Sequence, residues 1–399
     1  RIKVMNNTLS FKKPLLETPF HERTLEACYN NDWYRWAGYK IAREYSNTEL
    51  EYTSMRNTAG VLDITPMHKY DIKGKDAIKF VDKLVTRDVT QIKPNQVMYI
   101  IWCNEDGNVI DDGTVFCFDT NHLRIFCAER NLNWFSDTAI GFDAEVNDVS
   151  DSIAALAFQG PLSCKILHLL NVKNIEQLKP FFFDSFDLNG SNVTISRTGF
   201  SGDLGYEIWC NPQDAINVWD SLFKFNRDYK VLPAGMNALE MVRIEAGFIQ
   251  PNADFMSAEQ ALRPNRMRTP FELGMGWLVD LNKNYFTGKK SLINLKNKSL
   301  TKKLVGLDIQ GDKPAIGSVL YDKNKKEIGI VTAGMWSPSL KSNIAFGYVD
   351  KDHMKIGSKV FAEIYHPEEL EYKKIWAECL VVKKQFFNPP RRHKVPADI

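Results

Sequence analysis

The sequence predicts an α+β fold. Helical and strand periodicities alternate through most of the chain without the even βαβ cadence of a parallel sheet. Two hairpins stand out, one with a polar turn and one with a glycine-rich turn. Beyond residue 304 only short alternating runs remain, which read as a small barrel or sandwich.

The elements follow in order. Lys75 to Leu84 places Ala77, Phe80, Val81 and Leu84 on one helical face. Tyr99 to Val115 reads as a strand, a turn over Asn104 to Asn108, and a second strand. Thr114–Phe118 and His122–Cys127 flank the polar turn Asp119 to Asn121, which is a hairpin. Pro161 opens a helix that runs through Leu170, since proline suits a first helical position. Val193–Ser196 and Tyr206–Cys210 are strands separated by Gly199, Gly202 and Gly205. A nucleotide-binding glycine loop would open a helix, and here a strand follows, which excludes a Rossmann fingerprint. Pro212 opens a helix with Ala215, Val218, Trp219 and Leu222 on one face. Another helix spans Met236 to Ala246 and stops at Gly247. The lysine-rich stretch 289–303 is a helix and linker. Strands then fall at Leu304–Ile309, Ile328–Ala333, Ile344–Val349, Val360–Tyr365 and Cys379–Lys383. The expected domains are a body of two subdomains over 1–288, a linker over 289–303 and a barrel over 304–399.

Composition narrows the function. The chain has 399 residues, 44% of them hydrophobic and 25% charged, enough for two or three cored domains. Fifty-one basic residues face 49 acidic ones, a net charge of +2 that offers no nucleic-acid or membrane surface. No apolar run reaches a membrane span, and the first residues lack a secretory core. Met5 is a candidate native start. Seven scattered cysteines with no C-x-x-C pair fit a reduced, cytoplasmic protein. The histidines form no zinc pattern, so no metal is expected. Pro389 to Lys394 reads as a solvated, mobile end.

Two places carry chemistry. Asp111 and Asp112 are neighbours in a strand, so one faces inward and needs a donor, a cation or a ligand. The glycine hairpin holds Glu207 beside Tyr206 and Phe200; by itself it is as much a chain reversal as a binding loop. His68 reads first as a structural histidine, and Trp33 and Trp36 as pocket or core residues.

These segments together resemble the glycine-cleavage T-protein family, the folate-dependent aminomethyltransferases, with its demethylase relatives. Arg56 to Met67 resembles R-x-x-x-G-x-x-D-V-S-x-M, and Asn104 to Asp112 resembles N-E-x-G-G-x-x-D-D. Phe158 to Pro161 reads F-Q-G-P, Arg197 to Glu207 resembles R-T-G-Y-T-G-E-x-G-Y-E, and Arg243 to Ala246 follows R-x-E-A. Pro270 to Gly274, Phe286 to Lys289 and Trp336 to Leu340 complete the order. The resemblance spans nearly the whole chain and implies a ring-like body with a C-terminal barrel.

It further implies tetrahydrofolate as cofactor. Glu207 would pair with the pterin edge, and Tyr99, Phe200, Tyr206, Met67 and Trp336 would line its site, the hairpin glycines letting the ring approach the backbone. Asp112 would be the catalytic carboxylate beside N5, with Asp111 structural. The chain departs from the pattern at Tyr29 to Tyr39, at Cys127 to Asn131, at Phe200 for tyrosine, and at Leu239 for arginine. Those departures point to a free small-molecule methyl or aminomethyl donor. A lipoylated carrier protein is the alternative donor, and a non-catalytic folate-binding module is the alternative from another class.

Overall fold

In the computed structural model, which describes residues 14–368 and 371–396, two antiparallel sheets build the body. Met5 lies outside the described residues. The first sheet has five strands in the order Val97–Cys103, Val109–Asp119, His122–Cys127, His68–Lys73 and Glu145–Asp148. The second has six, ordered Phe183–Leu188, Ser191–Ser196, Gly205–Cys210, Ala154–Gln159, Gly60–Asp63 and Leu232–Pro233. Only its last pair runs parallel.

Aromatic side chains join the two sheets face to face. Phe116 and Phe126 of the first meet Trp209 of the second, with ring centroids 6.1 and 4.1 Å apart. Phe183 lies 5.0 Å from Phe116. Such tilted aromatic pairs add to the burial that drives the packing. Each outer face is covered by helices. Ala77–Leu84 buries Phe80, Val81 and Leu84 on one side, and Ser163–Leu169 and Ala215–Leu222 cover the other. Met236–Ala246 ends as the sequence requires, with Gly247 at φ +82, a left-handed cap that glycine adopts without strain.

Six strands close the C-terminal barrel: Lys302–Ile309, Ser342–Asp350, Glu327–Ser337, Val319–Tyr321, Lys359–Glu368 and Glu371–Val382. Its apolar interior includes Leu307, Leu320, Val360 and Val381. Ala333 and Met335 turn the other way and pack with Ile244 and Phe255 of the body. The linker becomes the helix Lys289–Lys296. All seven cysteines are free and buried.

Two expectations are corrected. Pro389 to Lys394 is not a loose end: Arg391 donates to both oxygens of buried Asp203, at 2.6 and 2.8 Å. An internal carboxylate 188 positions away fixes it, which composition could not reveal. The hairpin glycines do not clear space for a ring. A Cβ at Gly199 or Gly205 would lie 2.1 or 2.3 Å from Gln159 Oε1, so these glycines make room for a buried side chain.

Candidate active site

Strand alternation sets the two acids opposite each other. Asp112 shares a strand face with Phe116, four residues on, and no bulge intervenes. Glu207 shares a face with Trp209. Since Phe116 and Trp209 meet between the sheets, Asp112 and Glu207 project from the two facing walls of one space.

Asp112 is partly buried, and its Oδ2 accepts a 2.6 Å hydrogen bond from the Tyr99 hydroxyl. Burial pushes its carboxyl up to about 6, while the Tyr99 bond opposes the rise by favouring the charged form. Among the described residues, Oδ1 receives no hydrogen bond from another residue. Asp111 points the other way, into the outer core. It is 1% exposed and accepts from Asn131 Nδ2 at 2.8 Å. Asn131 is held in turn by Trp102 Nε1 and by the Tyr70 hydroxyl, which its backbone N–H reaches. Burial, then the charge of Asp112, pushes the Asp111 carboxyl well above the carboxylate range, against the hydrogen bonds from the Asp112 backbone and Asn131.

Glu207 sits beside the hydroxyls of Thr198 and Ser196, which reach its Oε2 at 2.5 and 3.5 Å. Burial raises its pKa against those two bonds. Its Oε1 accepts no hydrogen bond among the described residues, leaving an acceptor open toward the space between the sheets. A flat ligand edge with paired N–H donors meets such a carboxylate in plane. The residues present therefore fit a pterin.

The remaining expected residues separate. Tyr99 contacts Asp112, and Trp277 lies 6.2 Å from its ring. Met67 packs with Leu239 and Met241 against the intersheet cluster, and Met241 also touches the cluster beneath Tyr99. Phe200 is partly open and stacks on Phe248 at 5.2 Å. Tyr206 is corrected: it is 0% exposed and packs among Phe158, Cys164 and Ile208 on the far face of its sheet. As Glu207's strand neighbour it cannot share Glu207's side. Trp336 is also corrected: it opens onto a shallow cleft with Ile309, Lys341 and Asn343, and no described contact joins it to Asp112 or Glu207. Its neighbour Ser337 turns inward instead and donates to Glu245.

His68 stacks on Tyr70 at 6.1 Å, and burial lowers its pKa, which keeps it neutral. Trp36 joins the intersheet cluster and Trp33 packs beside His21, away from it. Sequence reasoning missed Thr198, Asn131, Met241 and Trp277. Of these, Thr198 and Asn131 carried a signal, Thr198 inside the quoted hairpin motif and Asn131 at the end of the departing stretch from Cys127.

Several motif residues meet away from the acids. Arg56 donates to Glu245 Oε2 at 2.8 Å and to the Ser201 carbonyl at 2.9 Å. Glu245 Oε1 accepts from Tyr52 and Ser337, and Asp203 binds Arg391. This buried network fastens body, barrel and C-terminal segment together.

Two facing antiparallel sheets with a six-stranded barrel packed against the body, and a partly buried carboxylate on each facing wall, make up a two-part architecture whose class the family matches define. Residues 21–283 match the family model described as the GCVT N-terminal domain, and residues 302–387 match the glycine cleavage T-protein C-terminal barrel domain. The chain belongs to the glycine-cleavage T-protein family. An aminomethyltransferase of Caldanaerobacter subterraneus subsp. tengcongensis is 33% identical over 355 residues, covering 87% of this chain and 91% of that protein. One from Clostridium botulinum is 34% identical over 371 residues, covering 90% and 94%. The fold is that of the glycine cleavage system aminomethyltransferase T of Bartonella henselae, with a TM-score of 0.82, 24% identity, and coverage of 96% of this chain and 99% of that one. Among the described residues no helix is long and apolar enough to cross a membrane.

Proposed function

We propose that this chain transfers a one-carbon unit from a small methylated or aminomethylated donor to tetrahydrofolate, with Glu207 gripping the pterin edge and Asp112 serving the reacting nitrogen. The observation that carries this reading is the pair of carboxylates on facing walls, each with one oxygen tied down and one open. Tetrahydrofolate, when bound, supplies the nucleophilic N5 that accepts the carbon. The donor's carbon–heteroatom bond breaks as the new bond forms, its heteroatom leaving with the electron pair, and Asp112 acts on this step from a fixed position. Tyr99 holds one oxygen, which leaves Oδ1 to orient an N–H or to offset positive charge as the new bond forms. A carboxyl poised at about 6 is ionised at neutral pH yet basic enough to hold a proton in passing.

Leu239 favours a free donor. It stands where the family pattern has arginine, and it packs against the apolar cluster between the sheets, as Met67 and Met241 also do. A lipoylated carrier remains the second reading, favoured by the glycine-cleavage name of the structural neighbour. A donor screen separates them. The purified protein is given tetrahydrofolate with methylated amines, sulfonium compounds or aminomethylated carrier, and methyl- and methylene-tetrahydrofolate are quantified. Methyl or methylene product from a free donor is expected. Product from the carrier alone would reverse the assignment, and folate binding without transfer from any donor would leave only a binding module.

A further inference from the structure

Asp112 is held at two points, and Tyr99 supplies only one of them. The second is its backbone N–H, which donates to Asp111 Oδ1 at 2.9 Å. Pairing with the strand His122–Cys127 begins one residue later, at Gly113. The other Asp111 oxygen, Oδ2, accepts from Asn131 Nδ2 at 2.8 Å. The orientation of that amide is fixed. An indole N–H only donates, so the Asn131 atom that Trp102 Nε1 reaches at 3.2 Å must be the amide oxygen. The amide nitrogen is left for Asp111, with the Glu129 carbonyl at 3.1 Å as a second acceptor. The Tyr70 hydroxyl accepts from the Asn131 backbone N–H at 3.0 Å. Asp111, Asn131, Tyr70 and Trp102 are all buried, and the rings of Tyr70 and Trp102 each lie 5.2 Å from that of Phe135. A line of hydrogen bonds therefore runs from the packed outer core to the peptide that carries Asp112.

We propose that Asp111 and Asn131 are positioning residues that set the angle at which Asp112 enters the space between the sheets, an inference that rests on the catalytic reading of Asp112 above. Asp111 points to the opposite face of the strand, so it acts through the peptide and touches no ligand. With the backbone N–H fixed at one end and Oδ2 tied to Tyr99 at the other, the two side-chain torsions of Asp112 have little freedom left, and Oδ1 is placed. That placement matters for rate more than for binding, since a shift of about 1 Å at a reacting group costs about a hundredfold. The grip on the pterin belongs to Glu207, on the other wall, and does not pass through this line. A buried carboxylate is a costly way to hold one N–H unless both its oxygens are satisfied, and here Asn131 satisfies the second.

The test exchanges donor and acceptor along the line. Asp111→Asn keeps an oxygen for the Asp112 N–H but sets an NH2 against the NH2 of Asn131. Turning Asn131 round only moves the conflict to the Trp102 N–H, so one buried donor stays unpaired either way. Asn131→Asp sets two carboxylates face to face. The double variant Asp111→Asn/Asn131→Asp remakes the bonds to Asp112 and Trp102 with the middle contact reversed, while giving up the Glu129 bond. Tetrahydrofolate affinity is read by calorimetry, and single-turnover transfer with N,N-dimethylglycine, trimethylsulfonium or aminomethylated carrier, whichever the unaltered protein uses. Each single variant should slow transfer about ten- to a hundredfold with tetrahydrofolate affinity changed by less than about threefold, and the double variant should recover most of the loss. Single variants at the parent rate, equal losses of rate and affinity, or a double variant no faster than the slower single one overturn the proposal. Where a single variant does not fold, the double variant decides alone: it should fold and transfer within about tenfold of the parent, and a slower folded double variant overturns the proposal. Transfer by Asp112→Asn at the parent rate, or no transfer by the unaltered protein from any of the three donors, overturns the catalytic reading itself and takes this inference with it, an outcome distinct from the others.

Discussion

Replacing Tyr99 by phenylalanine should move the acid limb of the pH–rate profile upward. The substitution keeps the ring and removes the hydroxyl that donates to Asp112 Oδ2 at 2.6 Å. That bond favours the ionised carboxyl, whereas burial favours the neutral one, and the balance stands at about 6. A hydrogen bond to a charged group contributes roughly 1.5–3 kcal/mol. At about 1.4 kcal/mol per pKa unit, its loss is worth about one to two units. Water entering the space left by the hydroxyl re-solvates the carboxylate, so about one unit is the expected shift. The sign follows from which form works. A carboxylate that must be charged is active above its pKa, so the rate rises with pH through about 6 in the parent and through about 7 in the variant. At neutral pH the ionised share then falls from about nine-tenths to about half, with the alkaline plateau preserved. Single-turnover rates of tetrahydrofolate methylation across the range measure this, with Asp112→Asn as a control that is slow at every pH. An inflection that stays in place, or moves down, would refute the claim that Tyr99 tunes Asp112.

Three further outcomes test other parts of the argument. Glu207→Ala should weaken tetrahydrofolate binding by about 2–4 kcal/mol without disturbing the fold, because the pterin donors lose their acceptor in a dry site; unchanged affinity by titration would remove Glu207 from the site. Gly199→Ala forces a methyl against Gln159 and should cost about 1–3 kcal/mol in urea unfolding, with folate affinity per folded molecule preserved. At Asp71, burial alone would raise the carboxyl, but Arg124 and His122 outweigh it and hold it at about 2. Its folded pKa lies below the unfolded one, so its contribution is complete above about pH 4 and disappears as the pH falls toward 2. Asp71→Asn should therefore cost about 2 kcal/mol at neutral pH and flatten that part of the stability profile.

The period of two was the most informative signal in the chain. It separates Asp111 from Asp112 by itself, since neighbours in a strand cannot share a face. Applied with equal rigour it would also have removed Tyr206, which adjoins Glu207, and would have asked which of Trp336 and Ser337 faces the body. Helix ends were legible where a local residue dictates them, as at Gly247. Three things were not legible, each for the same physical reason. The Tyr99–Asp112 bond depends on the register of two strands, the Asp203–Arg391 clamp joins positions 188 apart, and the crowding at Gly199 comes from a glutamine on another strand. Sequence shows that such residues need partners; only packing across distant segments says which.

The residues that carry the resemblance divide by task, and the division limits what family membership can say. Arg56, Asp203, Glu245 and Ser337 satisfy one another in a buried network that locks barrel to body. Removing any one leaves a desolvated charge or an empty acceptor, so this network constrains its members tightly whatever the donor. In the function proposed above, Asp112 and Glu207 are constrained by the folate chemistry. Leu239 and Met241, packed against the intersheet cluster, and Phe200 and Phe248, stacked on each other, by contrast have no polar internal partner to satisfy. Exchanging an apolar wall residue for one of similar volume breaks no buried polar contact and costs little stability. On the proposed function the scaffold holds the acceptor through buried polar groups, while the replacement of a family arginine by Leu239 lies among apolar residues that can change without leaving one unpaired.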